Sequence, residues 1–71
     1  MISYYKTEYL DYGFWRTRLL IDDKPAFMQV TINDTDVYKV AEVWQDGMTL
    51  GLVIDGSTKW IETKSYKITR A

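Results

Sequence analysis

The sequence predicts an all-β fold, a six-stranded antiparallel meander that closes into a small SH3- or OB-like barrel. Three observations carry this reading. Turn-forming clusters recur at roughly ten-residue intervals. Apolar and polar residues alternate between them. The hairpins those turns imply agree on one apolar face, and a one-residue slip in any of them would scramble it. The clusters are Asp11-Tyr12-Gly13, Asp22-Asp23-Lys24-Pro25, Asn33-Asp34-Thr35-Asp36, Asp46-Gly47 and Asp55-Gly56. The two Asp-Gly pairs are the strongest of them, because a type I′ turn requires positive φ at both central residues.

Taken along the chain, each turn fixes a register. A three-residue loop at 11–13 sets Tyr9 opposite Trp15 and Tyr5 opposite Leu19. On the other face it sets Glu8 opposite Arg16, a favourable cross-strand charge pair. A four-residue loop at 22–25 sets Ile21 opposite Ala26, Leu19 opposite Met28, Thr17 opposite Val30 and Trp15 opposite Ile32. The loop at 33–36 adds Val37, Ala41 and Val43 to the same face, the Asp46-Gly47 turn adds Leu50, Leu52 and Ile54, and the Asp55-Gly56 turn adds Ile61. Lys39 and Lys59 interrupt that face, at positions where a lysine can snorkel from a strand end or sheet edge.

The segment 36–46 carries a second signal. Val37, Val40, Ala41 and Trp44 also fall at helical spacing, with Thr35 or Asp36 as a cap and Gly47 as a stop. The alternative fold is therefore α+β, with a helix at about 36–46 packed on a five-stranded sheet. The strand is preferred because three valines in one short segment lose χ1 freedom in a helix. Closure of the meander would bury the inner face and remove open edges. The likeness to SH3 and OB barrels is one of architecture alone, since no family motif selects either.

Composition narrows the chemistry. The 71 residues make one domain, 1–71, and contain neither cysteine nor histidine. That excludes disulfides, zinc–thiolate sites, thiol nucleophiles and histidine relays. No glycine-rich phosphate loop is present. Asp22-Asp23 and Asn33-Asp34-Thr35-Asp36 are read as turn chemistry rather than hard-metal sites, because acidic and amide side chains accept local backbone hydrogen bonds and tolerate the left-handed region. The expectation is a non-enzyme with no cofactor and no metal. The longest aliphatic run, Leu50-Gly51-Leu52-Val53-Ile54, is far too short to span a bilayer. No secretory signal is visible, so a cytoplasmic location and no membrane association are the defaults.

A net charge of −1 argues against a dedicated nucleic-acid binder, although the segment 56–71 carries Lys59, Lys64, Lys67 and Arg70 against Glu62 alone. The outer face of the expected sheet is more informative. Its N-terminal half reads as solvated, with Lys6, Glu8, Arg16, Arg18, Gln29 and Thr31. Its C-terminal half carries Tyr38, Val40, Trp44, Val53 and Trp60, with Phe27 beside them and Trp60 opposite Gly51. An aromatic ring over a strand glycine is a known pairing. Either a covering element buries this patch or a partner does. The reading adopted is a partner-binding surface of Phe27, Tyr38, Val40, Trp44, Val53 and Trp60 with Arg16 and Arg18 at the rim, because Trp, Tyr and Arg dominate interface hot spots. The expected partner is another protein, with a homodimer as one form of it. The chain would then act as a small regulator or inhibitor of a larger protein. A single-stranded nucleic-acid-binding barrel, with bases stacked on exposed aromatics beside cations, is the alternative.

Overall fold

A computed structural model of the chain describes residues 1–10 and 13–71. Among these the secondary structure is entirely strand and turn, and no helix is long and apolar enough to cross a membrane. Nine strands follow in order: β1 (Ser3–Tyr9), β2 (Trp15–Ile21), β3 (Lys24–Ala26), β4 (Met28–Ile32), β5 (Asp36–Val40), β6 (Glu42–Asp46), β7 (Thr49–Ile54), β8 (Ser57–Glu62) and β9 (Tyr66–Arg70). They form two antiparallel sheets. The larger runs β1-β2-β6-β7-β8, with β3 also paired to β2, and the smaller runs β5-β4-β9. Neither sheet closes on itself, so the expected barrel closure is not present in the hydrogen bonding.

The chain changes sheets at three corners. The first is Phe27, between β3 and β4. The second is Ala41, between β5 and β6, where the Ala41 N–H donates to the Val53 carbonyl at 2.9 Å. The third is 63–65, between β8 and β9. There Thr63, the one buried polar residue among those described, donates through Oγ1 to Asn33 Oδ1 at 3.3 Å and accepts from the Ser65 N–H at 3.1 Å. Its own N–H donates to the Met48 carbonyl at 2.8 Å. A corner made of irregular backbone needs such partners, because buried polar groups left unpaired are costly.

The core lies between the sheets. Leu19, Val43, Leu50 and Leu52 come from the large sheet, and Met28, Val30, Ile32 and Val40 from the small one. Ile21, Ala26, Tyr38, Ile54, Ile61, Tyr66 and Ile68 pack around them. In short hairpins the expected registers appear as read. Tyr9 pairs with Trp15, Tyr5 with Leu19 and Glu8 with Arg16. Asp11 and Tyr12 of the connecting loop lie outside the described residues. Gly51 pairs with Trp60. Segment 36–46 is strand on both sides of Ala41, so the helical alternative does not form.

Four expectations are corrected. The turn after β2 is two residues, Asp22 and Asp23, both at positive φ (52° and 63°), and sets Leu19 opposite Ala26. Beyond Ala26 the chain leaves for the small sheet. Met28, Val30 and Ile32 therefore do not pair with β2, which pairs with β6 instead. In the third turn Asn33 and Asp34 both take positive φ (52° and 59°), and Ile32 pairs with Asp36 rather than Val37. That one-residue shift turns every side chain of β5 over. Val37 is exposed, while Tyr38 and Val40 face the core, Val40 with no exposure at all. Finally, Tyr5, Tyr9 and Trp15 share a face with Leu19 but remain 48%, 61% and 49% exposed, because the small sheet does not extend over β1.

Candidate binding face on the large sheet

The outer face of the large sheet is set by alternation along β2, β6, β7 and β8. Ladder partners place Glu8, Arg16, Trp44, Gly51 and Trp60 in one row across five strands. Phe14, two residues before Arg16, closes the row from above. Its ring centroid lies 5.4 Å from Trp60 and 6.2 Å from Trp44, both tilted at 49°. Such offset, inclined geometry suits the ring quadrupoles better than a face-to-face stack. Trp44 is half-buried, and its Nε1–H donates to Glu42 Oε1 at 2.9 Å, which satisfies the indole and fixes its orientation. Trp60 is 51% exposed.

Gly51 explains how Trp60 lies. A Cβ built on Gly51 would stand 2.7 Å from Trp60 Cζ3 and 3.0 Å from Cη2. The ring therefore rests directly on the glycine backbone, and the absent side chain is what lets it lie flat. Val53, half-buried, continues the apolar surface in the neighbouring row between Glu42 and Thr58.

Beside the aromatic rings is a charge cluster centred on one carboxylate. Glu8 Oε1 accepts from Arg18 Nη2 at 3.0 Å and meets Lys6 Nζ at 3.4 Å, while Glu8 Oε2 meets Arg16 Nη2 at 3.4 Å. Three cations therefore share one anion. Each guanidinium has five N–H donors, and Nε of both Arg16 and Arg18 is buried without an acceptor among the described residues. The hydrogen bond from Arg18 holds the Glu8 carboxyl below the usual carboxylate range; slight burial pushes the other way, and the charges of Lys6 and Arg16 add to the lowering. A carboxyl whose pKa is lower folded than unfolded stabilises the fold above its unfolded value and loses that contribution as pH falls through the folded value. Urea midpoints measured from neutral pH to about pH 3 should therefore fall below about pH 4.5, and Glu8→Gln should flatten that limb. An unchanged acid limb in the variant would contradict the assignment.

Of the eight residues expected in the patch, this face brings together Arg16, Arg18, Trp44, Val53 and Trp60. Tyr38 and Val40 do not belong to it, having turned inward with β5. Phe27 is exposed at its corner with the Lys39 ammonium 4.8 Å over its ring, and it belongs to the small sheet's side. Sequence reasoning missed Phe14, although its position two residues before Arg16 on an alternating strand was enough to place it. The C-terminal cations do not line this face. Lys59 lies over the Tyr38 ring at 5.5 Å on the opposite side of β8, Lys67 meets Asp34 at 3.7 Å, and Arg70 reaches the Met1 sulfur at 3.6 Å.

Elsewhere, Asn33, Met48, Glu62, Thr63 and Lys64 line a shallow open dent at the third corner. Asp22, Asp23, Asn33, Asp34 and Asp55 occupy left-handed turn positions, the role expected of such residues in turns. Comparison of the chain with protein-family models, with curated proteins and with solved structures finds no match, so its function is argued from this geometry.

Proposed function

We propose that the chain is a non-catalytic protein-binding module that docks its partner on the outer face of the large sheet. The observation that carries this is the juxtaposition of a half-exposed aromatic cluster with an over-supplied carboxylate. Phe14, Trp44 and Trp60 offer apolar area at low entropic cost, since each ring is already held by its neighbours. Arg16 and Arg18, with Lys6, exceed the charge of Glu8 and keep unspent donors for a second carboxylate. The matching partner segment presents an apolar or aromatic side chain to Trp60 and an acidic side chain to Arg18. Such a surface on a domain this small suits a regulator or inhibitor that occludes a site on a larger protein. The two open sheets, joined at three corners, are read as a flattened and partly open relative of SH3- or OB-like barrels, in which a sheet face also serves for binding.

Selection from a random displayed-peptide library tests the proposal. Bound peptides should be enriched in acidic residues next to aromatic or large aliphatic ones. Arg18→Ala should weaken the best of them by about tenfold, as loss of a charge-assisted pair does. Peptides indifferent to Arg18→Ala and Trp60→Ala would place binding elsewhere. Tight binding of oligothymidylate that falls steeply with salt would favour the single-stranded nucleic-acid alternative instead.

A further inference from the structure

The large sheet ends at β1 on one side and β8 on the other, and the backbone of the β1 edge can be phased. The Ile2 carbonyl accepts from the Asp22 N–H at 2.7 Å, and the Leu10 N–H donates to the Phe14 carbonyl at 2.7 Å. Antiparallel bonding alternates along a strand. Even-numbered residues of β1 therefore spend their backbone groups on β2, whereas Ser3, Tyr5, Thr7 and Tyr9 direct theirs away from the sheet. All seven residues of β1 pair with β2 without interruption, and the strand contains neither proline nor bulge. Those are two of the devices by which exposed edges are normally protected. The inner side of this edge is aromatic and uncovered. Tyr5, Tyr9 and Trp15 are each about half exposed or more, and Tyr9 stands edge-on to Trp15 at 5.1 Å.

We propose that β1 pairs antiparallel with β1 of a second copy of the chain, centred on Thr7, to join the two six-stranded sheets into one continuous sheet through a two-fold axis. The charge pattern of the strand selects that occupant and that register. Pairing through free groups requires an odd residue opposite an odd residue. A centre at Lys6 stacks lysine on lysine, and a centre at Glu8 stacks glutamate on glutamate. A centre at Tyr5 leaves Glu8 opposite Ile2. The centre at Thr7 sets Lys6 opposite Glu8 of the second copy, twice by symmetry, in the closer non-hydrogen-bonded positions. It also sets Tyr5 opposite Tyr9 of the second copy, so the exposed rings merge into one band with Trp15 at each end. Self-complementarity of this kind is what an isologous interface requires. The edge shares Lys6 and Glu8 with the charge cluster of the partner-binding face, but its backbone pairing and the Tyr5–Tyr9 band do not depend on that reading.

Sedimentation velocity and amide exchange test it together on the full chain. The wild type should sediment with a concentration-dependent mass approaching twice 8.4 kDa. Exchange at Tyr5, Thr7 and Tyr9 should slow as protein concentration rises, while exchange at β8 does not. Lys6→Glu sets like charges across the axis and should weaken self-association by about tenfold or more. Thr7→Pro removes an outward-facing N–H and should abolish it. Circular dichroism checks that each variant keeps its strands. A monomer at all concentrations, or a dimer in which exchange at Tyr5, Thr7 and Tyr9 does not depend on concentration, would overturn the proposal. A dimer unaffected by both substitutions would do the same.

Discussion

Val40→Lys should leave the chain unfolded, whereas Val37→Lys should be almost silent. The two valines sit three residues apart on β5, and the register inferred from sequence exchanges their roles. In the structure Val40 pairs with Met28, has no solvent exposure and contacts the centre of the core. A lysine there must bury an unpaired ammonium or push the sheets apart, which costs several kcal/mol at least. A domain of this length has only roughly 4–10 kcal/mol of total stability. Val37 is 57% exposed, and surface changes of this kind fall within about 0.5 kcal/mol. Far-ultraviolet circular dichroism with thermal melting reads both. The opposite outcome would mean that Ile32 pairs with Val37 and that β5 presents its other face.

Leu50→Ala should have the next largest effect. Leu50 is the second residue of β7, between Gln45 of β6 and Ile61 of β8, and is fully buried in the core between the sheets. Its truncation removes transfer energy and leaves a cavity that strands locked by ladders on both sides can collapse only in part. Such changes cost about 2–5 kcal/mol. Near the middle of that range the melting temperature of a domain this size should drop on the order of 10–20 °C. Loss of less than about 1 kcal/mol in urea unfolding would show a core looser than the packing described.

What was legible in the sequence follows from how far each inference had to reach. The β1–β2 register and the Gly51–Trp60 pairing were readable because each depends on one turn and its flanking residues. Alternation then placed Arg16, Arg18, Trp44 and Trp60 on the correct face. The changes of sheet at Phe27, Ala41 and 63–65 were not readable, since alternation continues locally on either side of a corner. The pairing of β4 with β9, Val30 with Ile68 for example, joins residues far apart in the chain that no turn signal connects. The error at β5 had a narrower cause. Asn33 and Asp34 took left-handed conformations without glycine, which shortened the loop by one residue and exchanged Tyr38 and Val40 for Val37. Tyr5, Tyr9 and Trp15 moved from expected core to exposed surface for a different reason, with their register as expected: coverage of a face depends on how far the opposing sheet extends.

Eight of the eleven aromatic residues thus fall into three groups. Tyr38 and Tyr66 pack on the core, Phe14, Trp44 and Trp60 form the outer face, and Tyr5, Tyr9 and Trp15 lie on the inner face toward the β1 edge. The central functional claim is that the second group serves binding rather than folding. Trp60→Ala tests it most directly, with urea unfolding and peptide affinity measured on the same preparation. If the claim holds, stability changes by about 1 kcal/mol or less, as for a half-exposed side chain, and affinity falls by about 2 kcal/mol or more, as at a hot spot. A loss of about 3 kcal/mol in stability, the signature of a core deletion, with affinity unchanged in the folded fraction, would contradict it.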